Sequence, residues 1–236
     1  MRGELLTTKI ENEFIQSGEF DNQNALFFIK SAVEETSKLY GPVFTRMVAE
    51  YALQFEAEKL KEKPPENIQG VDDVYNYITV NFEKYPQGYN SLIYGIGKAE
   101  SKLQGFTAAG AKRAAYRAMK AIIEISGLLN NAIGTTEDAL EAVTKVCDIG
   151  KAAKMTIPMR YIREENNGLT MVVPNCLFKD ACLAFINEGI SRMVGGSECV
   201  NLIIPTAGME LITKKHFDYK LEEFDKPECR GMIFEI

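Results

Sequence analysis

At Gly150 the apolar pattern of this chain changes period, and the change limits the fold more than any single motif does. Before it, apolar residues recur at three- and four-residue spacing, the repeat of one helix face. After it, "KMTIPMRYIRE" alternates Met155, Ile157, Met159 and Tyr161 against Thr156, Pro158 and Arg160, the repeat of a strand with one buried side. "ENNG" then reads as a turn and "LTMVV" as a second strand, so the two strands make a hairpin. Pro158 cannot donate to a ladder and predicts an edge position for its strand.

The helical half divides at its breakers. In "ETSKLYGPVFTRMVAEYALQFEAEKLKEK", Leu39, Tyr40, Val43, Phe44, Met47, Val48, Tyr51, Ala52 and Phe55 share a face, and Pro42 fits a first helical turn. A second helix is predicted over Val71 to Phe82, and "SLIYGIGKAESKLQG" is a third candidate. Thr107 to Leu129 is rich in alanine, with Ala111, Ala114, Ala115, Ala118, Met119, Ile122 and Ile123 on its apolar side. Thr135 followed by Asp138 predicts a capped helix carrying Leu140, Val143, Val146 and Cys147.

The second strand of the hairpin ends at Pro174. The next helix carries Ala181, Cys182, Phe185, Ile186, Gly189, Ile190 and Met193; it stops at Gly195 and Gly196 before a new start at Ser197. Pro205 divides "CVNLIIPTAGMELITKK" into a strand or short helix and a following helix. "HFDYKLEEF" alternates, and "GMIFEI" closes the chain as a strand. The expected class is α+β, a helical N-terminal half packed on a small antiparallel sheet with helices. The expected division is 1–65, an N-terminal helical segment, and 66–236, an α+β small-molecule-binding domain.

With 236 residues the chain can bury a sizeable core. Its net charge of −6 opposes a general attraction to nucleic acid. No run approaches the roughly 18 apolar residues of a spanning helix, and "MRGELLTTKIENEF" lacks a signal peptide's apolar region. The expectation is a cytoplasmic protein, without membrane or nucleic-acid partners, whose five cysteines stay as thiols.

"GIG" at Gly95 to Gly97 lacks the third glycine and the preceding strand of a dinucleotide site, so helix packing explains it better. The single histidine, His216, reads as an exposed residue at a strand start. Lys112, Arg113, Arg117 and Lys120 form a basic face that solvent accounts for, or that meets a carboxylate or phosphate head group. The runs "EAEKLKEKPPEN" and "KLEEFDKPE" read as solvated surface. Cys176, Cys182, Cys199 and Cys229 are spaced poorly for a closed zinc site, which favours two close pairs. Cys176 and Cys182 converge only if Cys176 precedes the helix. Zinc at these four cysteines stays open beside the reading in which the thiols fill a core.

"LTMVVPNC", a helix, and then "GMELITKKHFDYKLEEFDKPECRGMIFEI" resemble the vinyl-4-reductase domain family over roughly the last 90 residues. Asn175 and Cys176 match its "NC". Met209, Glu210 and Leu211 with Lys214 and Lys215 match its helix end, and Pro227, Cys229, Phe234, Glu235 and Ile236 match its close. The resemblance implies an α+β fold enclosing an apolar pocket for hydrocarbon-like or tetrapyrrole-related molecules, and a homodimer. The expected function is binding of an apolar small molecule, as a sensor or carrier, between the C-terminal sheet and the alanine-rich helix. Arg113 and Arg117 would meet a polar head group, and Tyr116, Met119, Ile157, Met159, Phe185 and Met193 would line the pocket. The alternatives are a reductase or hydrolase using Cys176 or a cysteine-bound metal, and a helical scaffold or assembly factor.

Overall fold

The computed structural model describes residues 13–66, 70–103, 108–190, 199–224 and 227–236, with the side chains of 108–115 and 125 outside the description. Its elements run β1 (Glu13–Gln16), α1 (Asn22–Tyr40), α2 (Pro42–Leu60), α3 (Val71–Asn81), α4 (Tyr89–Lys102), α5 (Ala108–Ser126) and α6 (Ala139–Ala152). There follow β2 (Met159–Arg163), β3 (Leu169–Pro174), α7 (Lys179–Asn187), α8 (Val200–Thr213), β4 (Phe217–Glu223) and β5 (Glu228–Glu235). The class is α+β, with helices packed on one antiparallel sheet.

The helix limits follow from local chemistry. Asp21 caps α1 by accepting from the N–H groups of Gln23 and Asn24, both at 2.9 Å. Gly41, at φ 81°, turns the chain, and Pro42 opens α2 where its missing N–H costs nothing. The cap of α6 is Asp138, which accepts from the Glu141 N–H at 2.8 Å. Thr135, the expected cap, lies one turn too early and donates its hydroxyl to the Ala132 carbonyl instead. Gly95 explains the "GIG" segment: a Cβ there would lie 2.5 Å from the Val48 carbonyl oxygen, so α2 and α4 cross in close contact only because it is glycine.

The sheet order is β1-β2-β3-β5-β4, antiparallel throughout. The pairs Phe14–Tyr161, Tyr161–Met171, Met171–Gly231 and Gly231–Leu221 continue one row across all five strands. That row belongs to the inner face, where Tyr161, Met171 and Leu221 are buried and α6 and α8 cover the sheet. Gly231 lets α8 approach, since a Cβ there would lie 2.7 Å from Leu202.

Two expectations need correction. Pro158 does not mark an edge: β2 lies between β1 and β3, and Pro158 sits just before the strand, where the ladder needs no N–H from it. Nor does Pro205 divide its segment, because α8 runs through it. Proline inside a helix costs about 3 kcal/mol, here by leaving the Asn201 carbonyl without an N–H four residues on. Burial outweighs this, as Leu202, Ile203, Pro205, Ala207, Met209 and Ile212 are all buried. The predicted end of the preceding helix at Gly195 and Gly196, and the start at Ser197, lie outside the described residues.

Candidate functional site

A cavity of about 70 Å³ lies where β1 and β2 meet α6 and α8. Alternation in β2 sends Met159 and Tyr161 toward it, Ile157 joins them from just before that strand and Gln16 from the end of β1; α6 contributes Cys147, and α8 contributes Val200, Asn201 and Ile204. Phe20 and Phe178 close one side, each edge-on to Tyr89 with ring centroids 5.5 Å apart. Its polar atoms are largely engaged. The Cys147 thiol donates to Gln16 Oε1 at 2.8 Å, and the Tyr161 hydroxyl donates to Met159 Sδ at 2.8 Å. Burial pushes both the Cys147 thiol and the Tyr161 phenol above their ordinary values, so both stay protonated.

Asn201 connects this cavity to a group of thiols. Its side-chain N–H donates to Cys176 Sγ at 3.2 Å. Cys176 is placed by the turn after β3, where Asn175 takes the left-handed conformation at φ 54°, which asparagine tolerates well. The following residues are held by α4: Asn90 donates to the Leu177 carbonyl at 3.0 Å and accepts from the Ala181 N–H at 3.3 Å. Val173 is the register partner of Cys229, so this turn places the Cys176 thiol beside Cys229, whose own thiol points to the Phe224 carbonyl at 3.9 Å.

The four cysteines behave differently. Cys176 is lowered to about 7, first by the hydrogen bond from Cys229, then by the Phe178 N–H, Asn201 and the Lys179 charge, against desolvation. Cys229 is pushed up by the same hydrogen bond and by burial. Burial raises Cys182, and raises Cys199 to about 12. All five cysteines are free thiols.

Cys176 does precede its helix, as convergence requires, but the expected zinc set is not assembled. Among the described residues, no group of three or more His, Cys, Asp or Glu is arranged to hold one metal ion.

The expected ligand residues separate. Ile157 and Met159 line the cavity. Met119 is core, Phe185 is fully buried and stacks on Tyr94 with centroids 5.7 Å apart, and Arg117 is exposed. Tyr116 faces the Glu210 carboxylate, and burial pushes its phenol upward. The Arg113 side chain and Met193 lie outside the described residues. His216 is 80% exposed just before β4, with Glu210 3.5 Å away. Sequence reasoning missed Gln16, Phe20, Cys147, Phe178 and Asn201. The four-residue strand β1 is too short to show a period, and Asn201 lies in the segment that Pro205 made ambiguous.

No family model, curated protein or solved structure matches this chain. Among the described residues, no helix is long and apolar enough to cross a membrane.

Proposed function

We infer that the protein binds a small molecule in the cytoplasm, taking an apolar end of it into the cavity between β1, β2, α6 and α8. The observation that carries this reading is a preformed hollow with mostly apolar walls and a few buried polar groups, the mixture of linings that small-molecule sites use. The resemblance to vinyl-4-reductase domains belongs to the same proposal, and so does a homodimer. Size narrows the ligand. An apolar cavity of about 150 Å³ admits benzene, so one of about 70 Å³ takes a short alkyl or branched methyl end, with the rest of the molecule outside.

The test uses 1-hexanol as probe. Binding shifts the methyl resonances of Ile157, Met159 and Ile204 and raises the melting temperature, while Ile204→Trp fills the space and removes both effects. Shifts absent from these methyls, or unchanged in a folded Ile204→Trp protein, would overturn the reading. Native mass spectrometry of an untreated preparation is expected to show a retained apolar compound.

A further inference from the structure

We propose that Cys176 and Cys229 are a reactive dithiol that reduces low-molecular-weight disulfides and closes into an intramolecular disulfide. The inference needs no ligand in the apolar cavity and stands or falls apart from that reading. It rests on arrangement. Cys229 stands opposite Val173 in the β3–β5 ladder, and the turn at Asn175 carries Cys176, three residues on, back beside it, so that each thiol is the first influence on the other. Asn201, the Phe178 N–H and Lys179 all present positive partial or full charge to one sulfur, that of Cys176. Cys176 is half-buried beside the exposed Asn175, whereas Cys229 is buried beneath it. An outside reagent therefore meets Cys176 first, in the anionic form that attacks sulfur.

The reaction balances in two exchanges. The Cys176 thiolate attacks one sulfur of the external disulfide RSSR; the S–S bond breaks, RS⁻ leaves, and a mixed disulfide remains on Cys176. Cys229 then gives up its proton, and its sulfur attacks the Cys176 sulfur. The second RS⁻ departs and is protonated. In total one dithiol and one RSSR become one protein disulfide and two RSH, with two electrons passing from protein to reagent. The chemical class taken is a small, flexible disulfide of the glutathione kind.

The experiment treats the intact protein with glutathione disulfide near neutral pH and maps the products by mass spectrometry. The wild type is expected to lose two hydrogens, show a Cys176–Cys229 bridge and keep no glutathione. Cys229→Ser is expected to stop at one glutathione on Cys176, and Cys176→Ser to consume the reagent at least about tenfold more slowly. Alkylation of the wild type by iodoacetamide, which requires no variant, is expected to modify Cys176 at least about tenfold faster than Cys182 or Cys199. A lasting glutathione adduct on the wild type, a bridge through Cys182 or Cys199, or equal alkylation rates at the three sites would each overturn the proposal.

Discussion

Glu56 has no side-chain surface open to solvent. It lies between α2 and the start of α4, where the Ser91 hydroxyl donates to Oε2 at 2.6 Å and Oε1 has no hydrogen-bond partner among the described residues. Burial raises its carboxyl to about 7, with the Ser91 hydrogen bond acting the other way. The unfolded chain, with an ordinary carboxyl, ionises first. Stability from this residue is therefore complete below about pH 4.5, declines as pH rises, and is lowest above about 7. The shift corresponds to a loss on the order of 3 kcal/mol. Urea denaturation at pH 5 and pH 8 is expected to show this decline in the wild type and a smaller one in Glu56→Gln; equal declines would refute it. Some slope of the same sign persists, because burial also raises Glu100. Asp138 works in the opposite direction: its bond with Arg163 holds its carboxyl below the ordinary value, so its stabilisation is lost only at more acid pH. Sequence alone placed Glu56 in a run of solvated charges, since nothing in "EAEKLKEK" distinguishes the residue that turns inward.

At the scale of elements, packing distances decide what sequence periodicity leaves open. Gly95→Ala places a methyl against the Val48 carbonyl oxygen and the Ala52 methyl, at 2.5 and 3.0 Å. A backbone oxygen cannot yield as a flexible side chain does, so the variant is expected to lose about 2–3 kcal/mol in urea denaturation. A loss within error of zero would mean that α2 and α4 can separate without penalty. α2, α3 and α6 were legible because their apolar faces repeat over several turns and Pro42 marks a start by its own chemistry. α1 was not, since Leu39 and Tyr40 read as one face with the residues after Pro42 although they end α1, and the cap of α6 was read at Thr135 rather than Asp138. α8 was not legible, as it is buried on nearly every side and carries no amphipathic signal to outweigh Pro205. The outline of the cavity was half legible: alternation along Met155 to Tyr161 selected Ile157 and Met159, but nothing in the sequence said that α6, α8 and the residues around β1 would face them.

For the whole molecule, the first helices and the sheet are tied together at several points. α2 packs on α4, α1 packs on α5, and β1 completes the sheet. The loop before α1 is also fixed to the end of α6, since the Asp21 N–H donates to the Lys154 carbonyl at 2.7 Å and the Asn24 side chain to the Ala153 carbonyl at 2.8 Å. Unfolding in urea is therefore expected to give one midpoint, whether followed by far-ultraviolet circular dichroism or by labelling of Cys199 and Cys229. Two midpoints would mean that residues 1–65 unfold as a separate body.

The pairing of β1 with β2 also bears on how the chain is made. Glu13 leaves the ribosome long before Ile162, its partner in the sheet. At ordinary rates of synthesis it waits on the order of ten seconds, while α1 to α6 emerge in the interval. β1 thus waits for its partner while six helices are made. Until then a nascent chain carries an unpaired strand and an uncovered Phe14, both open to whatever meets new polypeptide at the exit of the ribosome.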